Sequence, residues 1–298
     1  MSRFPRGTRK ESGNDCSLEG IVGGEGHAES QGRLAGVPKS AAGVADVGLV
    51  CILTHELTLE IQSQPNDTSC GPTCLAAVYD YWERPVDLAV LLRKIGELDG
   101  GGTLAVDLAC DALQRGFAAS IVTYNLQLFD PTWFNEDGEI ESAGILSDRL
   151  RRQLDSKQHR SNIDVARLTA STQSYLNYLS LGGRVRMQPL DEILLVSMLA
   201  RETPILCGLS ATYLYRESRE TKWGKPDDVG GDPTGHFVVL HGFSPKDRTV
   251  LIADPLHPNP MAPTNKYIAP LSRVTSAILL GIVTFDANLL TIYPDEKS

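Results

Sequence analysis

The segment QPNDTSCGPTC, residues 64–74, places two cysteines one helical turn apart. Cys70 directly precedes Gly71-Pro72, and proline is favoured in the first turn of a helix because its fixed φ suits the helix and its missing N–H costs nothing there. A helix N-terminus stabilises negative charge, so a thiol placed there is favoured as the nucleophilic thiolate. Cys74 lies inside the helix, on the apolar stripe that includes Leu75 and Val78. The spacing therefore predicts that Cys70 reacts and that Cys74 packs.

A reactive cysteine needs a base, and His236 is the candidate. The apolar run GHFVVLHGF, which begins at Gly235, predicts a strand with histidines at 236 and 241. An odd separation along a strand directs the two side chains to opposite faces. His236 lies at the start of this strand, where a side chain can reach a cleft, whereas His241 is expected to be a hydrogen-bonded structural residue. The remaining histidines fall in segments with no comparable pattern: His27, His55, His159 and His257.

A carboxylate follows the next predicted strand. Thr249–Ala253 is joined to the histidine strand by the turn SPKD and ends in Asp254-Pro255. Partners in a hairpin lie about 5 Å apart, so Asp254 can lie beside the imidazole of His236. There it could hold the tautomer and orientation of the ring, which is the role of the third member of a catalytic triad.

The elements that must position these residues indicate an α+β protein, because helices come first and antiparallel strands come later. The middle of the chain, about residues 129–187, is less regular and has the character of a helical insertion, with amphipathic helices at 145–160 and 164–179. The other predicted helices are Pro72–Trp82, Val86–Ile95, Thr103–Leu113 (capped by Gly116) and Leu190–Arg201, and the other strands are Leu57–Gln64, Phe117–Tyr124, Pro204–Leu209 and Ala277–Thr284.

These residues together resemble a known family. Gln64, five intervening residues, Cys70-Gly71-Pro72 and then the downstream Gly235-His236 and Asp254-Pro255 are similar to the bacteriocin-processing (double-glycine leader) cysteine peptidases and their free-standing relatives, within the papain-like superfamily. The resemblance covers about residues 55–126 and 190–255. Its most specific element is the Gln-x5-Cys-Gly spacing combined with the order Cys, His, Asp.

The resemblance implies a papain-like fold, in which N-terminal helices pack on a C-terminal antiparallel sheet, and it implies a role for each site residue. Cys70 would be the nucleophile, His236 the general base and acid, and Asp254 the orienting carboxylate. Gln64 would supply the side-chain donor of the oxyanion hole beside the backbone N–H of Cys70. Family members usually carry Asp directly before the nucleophile, and this chain has Ser69 there.

The leading interpretation is a cysteine peptidase or amidase that hydrolyses a peptide-like amide through a thioester. The same site could transfer its acyl group to an amine instead of water. A non-catalytic domain that binds peptides is a further alternative, and it predicts an ordinary thiol at Cys70. A redox switch that pairs Cys70 with Cys74 is a weaker one, because helical geometry strains a disulfide at this spacing.

Composition narrows the class of partner. The net charge of −9 and the pI near 5.2 give no basic footprint for a phosphate backbone, so a peptide-like substrate is expected and a nucleic acid is not. The cysteine and histidine spacings indicate no metal site, and no cofactor is expected. The most apolar stretch, Leu34–Leu53, contains Lys39 and Asp46, so no membrane span is expected.

The first fifty residues differ from the rest of the chain. They hold ten of the 27 glycines and one aromatic residue, Phe4, which is a composition that cannot bury enough apolar surface to order itself. We expect residues 1–50 to form a disordered tail and residues 51–298 to form the peptidase domain. The basic start of the chain continues into a polar segment rather than an apolar one, so no secretory signal and a cytoplasmic location are expected. The sequence does not indicate the oligomeric state.

Overall fold

The computed structural model describes residues 55–95, 102–284 and 286–295. The predicted disordered tail lies outside the described residues and stays a prediction. The described helices are too short or too polar to cross a lipid bilayer.

The helices are α1 (Cys70–Tyr81), α2 (Leu88–Lys94), α3 (Ala105–Gln114), α4 (Ala143–Lys157), α5 (Val165–Ser180), α6 (Glu192–Leu199), α7 (Ala211–Tyr215) and α8 (Leu271–Leu280), with short 3-10 turns at Pro131–Trp133 and Gly281–Thr284. The strands are β1 (His55–Glu56), β2 (Phe117–Thr123), β3 (Arg184–Arg186), β4 (Ile205–Ser210), β5 (Gly235–Ser244), β6 (Thr249–Ala253), β7 (Lys266–Pro270) and β8 (Asn288–Pro294).

The strands form one sheet in the order β3-β2-β8-β4-β5-β6-β7, and β1 pairs with the far end of β5. Every pairing of the described strands is antiparallel except that between β2 and β3. Helices from the first half of the chain cover one face of this sheet, so the α+β class predicted from the sequence is confirmed. The sheet is mixed, because the short β3 runs parallel to β2.

The strand β5 is buried on both faces and connects two apolar cores. Phe237 and Val239 belong to the core that contains α1, α3 and α5. Val238 and Leu240 belong to the core on the other face, with α6, α7 and α8. Successive side chains of a strand point to opposite faces, so an apolar run without polar alternation fits this position. Helix α1 therefore packs directly against the strand that carries His236.

The prediction of a strand at residues 57–64 is wrong, since the short strand β1 ends at Glu56, directly before them. Only His55–Glu56 pairs with β5, although the burial alternates as expected, with Leu57 and Leu59 buried and the residues between them exposed. The reason is that β4 and β6 already occupy the two edges of β5. The segment that follows β1 is tied to the sheet by single backbone bonds, from Leu57 N to His241 O at 2.7 Å and from Gln64 N to Pro255 O at 2.8 Å.

The prediction of a strand at Ala277–Thr284 is wrong, since these residues form the end of α8 and a 3-10 turn. The buried residues Val274, Ala277 and Ile278 follow the three-to-four residue period of a helix. A short apolar run such as AILLGIVT does not separate a strand from a buried helix by itself. Three strands that were not predicted, β3, β7 and β8, complete the sheet, and β8 lies in its middle between β2 and β4.

The segment predicted as a helical insertion contains α4, α5 and β3. Leu146, Leu150 and Tyr178 of this segment are fully buried in the same core as α1 and α3. The Tyr178 hydroxyl lies 2.9 Å from the carbonyl oxygens of both Ala119 and Arg184 and accepts from Arg184 N at 3.0 Å, which joins α5 to both β2 and β3. The segment is helical as predicted, and it shares one hydrophobic core with the helices that precede it.

A close contact at Gly208 generates a prediction about stability. A Cβ at this position of β4 would lie 2.5 Å from the backbone oxygen of Asp286, whose carboxylate in turn accepts a bond from Ala105 N at the start of α3. We expect Gly208→Ala to lower the free energy of unfolding by ~1–3 kcal/mol through overpacking, measured by chemical denaturation. Gly144→Ala is the matched control, because Gly144 is exposed in helix α4 and the nearest atom to its Cβ, Ser142 Oγ, is 3.8 Å away. Equal stability of the two variants would contradict the steric explanation.

Candidate active site

The loop that precedes α1 is folded by its own side chains. Ser69 Oγ donates to Asn66 O at 2.8 Å and accepts from Asn66 N at 3.2 Å, while Asn66 Oδ1 accepts from Thr68 N at 3.1 Å. Thr73 Oγ1 then donates to Ser69 O at 2.8 Å inside the first turn. Ser69 is buried and occupies the N-cap position, so Cys70 is the first helical residue, two positions earlier than Pro72.

His236 is the second residue of β5, at the end of this strand that does not pair with β6. The ladder between β5 and β6 begins at the pair Val239 and Ala253, so Asp254 is free to turn toward His236. The distance from His236 Nε2 to Asp254 Oδ1 is 2.8 Å, and both side chains are buried. The structure thus places the imidazole and the carboxylate together as the hairpin predicted.

The Cys70 thiol lies within hydrogen-bonding reach of the imidazole of His236, close enough for each group to shift the pKa of the other. Because Nε2 is bonded to Asp254, Nδ1 is the ring nitrogen that remains for the thiol. Gly71 at the start of α1 allows the helix to approach β5 closely, since a Cβ there would lie 3.3 Å from the Phe237 ring. Three side chains from separate parts of the sequence, Cys70, His236 and Asp254, therefore form one row, in which His236 is hydrogen-bonded to Asp254 and lies beside Cys70.

The electrostatics of this row favour a negative charge on the Cys70 sulfur and a positive charge on the His236 imidazole. Burial by itself raises the pKa of the Cys70 thiol, but the hydrogen bond and positive charge of His236, with backbone N–H groups of Phe237 and Gly71, bring this pKa below its ordinary value. Burial lowers the pKa of His236, yet the hydrogen bonds and charges of Asp254 and Cys70 raise it well above its ordinary value. A thiol pKa that falls beside an imidazole pKa that rises describes a thiolate–imidazolium pair.

Asp254 is fully buried, and each of its two carboxylate oxygens accepts two hydrogen bonds. Oδ1 accepts from His236 Nε2 and from the backbone N of Leu256 at 2.9 Å. Oδ2 accepts from the hydroxyls of Tyr215 and Tyr267, each at 2.8 Å. Burial raises the pKa of Asp254, but these hydrogen bonds and the charge of His236 lower it below its ordinary value. Asp254 is therefore ionised when the imidazole is charged.

Sequence reasoning did not identify Tyr215 and Tyr267. Tyr215 ends the short helix α7 and Tyr267 belongs to β7, which was not predicted. Neither tyrosine lies in a local motif, so a correct prediction of β7 and its pairing with β6 would have been the only signal. In the structure β6 pairs Ile252 with Tyr267, which brings that tyrosine close to Asp254.

Cys74 has a different environment from Cys70. Its side chain is fully buried, its thiol donates to Phe237 O at 3.3 Å, and burial raises its pKa well above the ordinary value. His241, the other histidine of β5, is hydrogen-bonded through Nδ1 to Leu57 O at 3.0 Å, and burial lowers its pKa. Cys74 and His241 are thus structural residues, as the sequence pattern predicted.

Gln64 lies next to this row, because its backbone N donates to the carbonyl of Pro255, the residue that follows Asp254. Its side-chain Nε2 donates to Asn66 O at 3.0 Å, and its Oε1 is enclosed with no hydrogen-bond partner among the described residues. An amide NH₂ has two donors, and Asn66 uses one of them. The bond to Asn66 therefore leaves the other N–H of the Gln64 side chain unused.

Other surface features lie apart from the row. Trp223, in the long loop before His236, is 73% exposed and has Lys222 Nζ 4.6 Å from the centre of its ring. A cavity of about 1250 Å³ is lined by residues of β2, β3, α6 and β8 and includes neither Cys70 nor His236. Within the described ranges, no group of three or more His, Cys, Asp or Glu side chains could hold a metal ion.

No protein-family model and no curated protein matches the chain. The chain is similar to a solved double glycine motif protease from an AMS/PCAT transporter in complex with the leader peptide, with 13% identity, 81% of this chain and 95% of that chain covered, and a TM-score of 0.38. It is also similar to the peptidase domain of Streptococcus ComA, a bifunctional ABC transporter involved in a quorum sensing pathway, with 12% identity, coverage of 79% and 98%, and a TM-score of 0.37. Both are peptidase domains of the kind that the sequence resembles. At these values the likeness carries no argument about reaction or substrate.

The contrast between the two cysteines of α1 gives a prediction about reactivity. We expect iodoacetamide to modify Cys70 rapidly at pH values below about 8.5, the ordinary thiol pKa, because His236 lowers the pKa of Cys70. His236→Ala removes the stabilising charge while the burial remains, so labelling of Cys70 at pH 6 is expected to fall at least about tenfold. Mass spectrometry of the peptide that contains both cysteines measures the two rates, and Cys74→Ala is the control. Equal and slow labelling of both cysteines in the wild type would contradict the charged pair.

Proposed function

We propose that the protein is a cysteine peptidase or amidase that hydrolyses a peptide-like amide through a thioester on Cys70. The observation that carries the proposal is the buried row in which Asp254 is hydrogen-bonded to His236 and the imidazole of His236 lies beside the Cys70 thiol. A nucleophile, a base in contact with it and a third group that orients the base are the arrangement required for covalent catalysis.

Acylation follows from the charged pair. The Cys70 thiolate attacks the carbonyl carbon of the amide, and the C–N bond breaks as His236 transfers its proton to the leaving amine. Asp254 stabilises the imidazolium before this transfer and keeps Nδ1 directed at the sulfur. The products of this half-reaction are a free amine and a Cys70 thioester.

The tetrahedral intermediate needs donors for its oxyanion. The backbone N–H of Cys70 is one candidate, because the first N–H groups of a helix have no partner inside the helix. The second N–H of Gln64 is the other, as the resemblance to the peptidase family implied. Preorganised donors of this kind are often the largest single contribution to transition-state stabilisation.

The second half-reaction decides between hydrolase and transferase. Neutral His236 takes a proton from water, the resulting hydroxide attacks the thioester, and the acid product leaves as Cys70 regains the thiolate. An amine could attack the same thioester and give a new amide. Hydrolysis is the primary proposal, because it requires only water as the second reactant.

Two features support the proposed setting of the reaction. The described cysteines Cys70, Cys74, Cys110 and Cys207 are all free thiols, which is typical of a reducing compartment such as the cytoplasm. The net charge of −9 favours neutral or basic peptides as substrates over acidic ones.

Cleavage of a mixed peptide pool tests the proposed activity. We expect the wild-type chain to generate new amino termini in a tryptic peptide pool whose amines have been blocked, and we expect Cys70→Ala to generate none. Cys74→Ala is the matched control and should retain the cleavage pattern. Addition of methylamine distinguishes transfer from hydrolysis, because methylamides appear in the first case and acids in the second. The proposed activity would be refuted if the wild-type protein had a reactive Cys70 and yet produced neither new amino termini nor methylamides.

Substitution of Gln64 tests the oxyanion role. We expect Gln64→Ala to reduce kcat by about 10²- to 10³-fold, because one oxyanion donor is lost, while the pH dependence of Cys70 labelling stays unchanged. Gln62→Ala is the matched control, since Gln62 is an exposed glutamine two residues away. A kcat for Gln64→Ala within about twofold of that of the control would contradict the role of Gln64 as an oxyanion donor.

A further inference from the structure

Two tyrosine hydroxyls close the side of the Asp254 carboxylate that faces away from His236. Tyr215 reaches it from the end of α7 and Tyr267 reaches it from β7, and both hydroxyls donate to Oδ2 at 2.8 Å. Both side chains are buried, and the carboxylate between them has no exposure to solvent. The two oxygens of Asp254 are thereby given different tasks, with Oδ1 bonded to the imidazole and Oδ2 bonded to the tyrosines.

We propose that Tyr215 and Tyr267 are positioning residues, which hold the plane of the Asp254 carboxylate and keep it ionised so that Oδ1 orients and stabilises the imidazolium of His236. This inference rests on the proposed function, because it concerns the same row of residues. Neither tyrosine contacts the reacting sulfur through its hydroxyl, so each acts through Asp254.

The first part of this role is geometric. A carboxylate can rotate about its Cβ–Cγ bond, and a rotation would move Oδ1 away from Nε2 of His236. Two hydroxyls on Oδ2 and the Leu256 N–H on Oδ1 fix three directions in addition to the imidazole. The Tyr215 ring also lies 6.0 Å from the His236 ring, measured between centres, and is tilted by 55° to it, so it restricts the space in which the imidazole can turn.

The second part is electrostatic. A buried carboxylate without donors takes up a proton, because burial disfavours the charged form. The hydroxyl of Tyr267 is among the groups that lower the pKa of Asp254. Loss of the hydroxyls would leave Oδ2 buried with fewer donors, so Asp254 would become neutral at a higher pH. A neutral Asp254 no longer stabilises the imidazolium, and the Cys70 thiolate is lost with it.

A purely structural role makes a different prediction. The two hydroxyls also join α7 and β7, so removal of either one is expected to lower stability whether or not it affects the chemistry. Tyr79 provides a matched control, because its hydroxyl also donates to a buried carboxylate, that of Asp111, at 2.9 Å. This pair joins α1 to α3 and makes no hydrogen bond to Cys70, His236 or Asp254.

The test uses the full chain with Tyr215→Phe, Tyr267→Phe, the double variant and Tyr79→Phe. The rate of iodoacetamide labelling of Cys70 is measured across pH by mass spectrometry, and thermal unfolding is recorded beside it. The midpoint of the acid limb of the labelling profile is expected to rise by about 0.5 to 1 pH unit in each single variant at the site. A larger rise is expected in the double variant, and no shift is expected in Tyr79→Phe, although its Tm falls.

The outcomes separate this inference from the proposed function. Folded single variants whose labelling midpoint equals that of the wild type, or a shift of the same size in Tyr79→Phe, would overturn the positioning role. A shift in the two site variants with no cleavage of any peptide by the wild type would support the positioning role and overturn the proposed hydrolysis. If the wild-type Cys70 labels as an ordinary thiol, both proposals fall together.

Discussion

The hydrogen bond between Asp254 and His236 is the interaction on which the site depends. A fully buried carboxylate is unfavourable unless it is paired and hydrogen-bonded, and here four donors from four parts of the chain satisfy it. Two donors come from α7 and β7, one comes from β5 and one comes from the turn after β6. The packing of these elements is therefore linked to the charge of one side chain, because a displacement of any of them would leave part of this carboxylate unpaired.

Burial acts against the nucleophile, and the fold offsets it. The Cys70 side chain is almost enclosed, which by itself would favour the neutral thiol. The packing of α1 on β5 places the sulfur beside a charged imidazole and beside backbone N–H groups, and together these outweigh the desolvation. Cys74, one turn further along the same helix, has the burial without the imidazole, and its pKa rises. The difference between the two cysteines thus comes from their neighbours and not from their exposure.

The sequence and the structure give different kinds of information about the candidate site. The order Gln, Cys, His, Asp is a property of the sequence, whereas the contact between Cys70 and His236 is a property of the fold. Ser69, where the family usually has Asp, is buried and bonds to both backbone groups of Asn66. These two bonds hold the loop between Gln64 and α1.

The sequence alone determined the elements whose signals are local: the start of α1 to within two residues of Pro72, the hairpin of β5 and β6, and the different environments of Cys70 and Cys74. It did not determine β7, β8 or the helix at 271–280, because short apolar runs take strand or helix according to what covers them. Tyr215 and Tyr267 depended on that missing information, since only the pairing of β6 with β7 and the packing of α7 bring their hydroxyls to Asp254. Tertiary structure alone decided these two tyrosine partners of the buried carboxylate, because contacts between residues 13 and 39 positions apart leave no periodic trace in the chain.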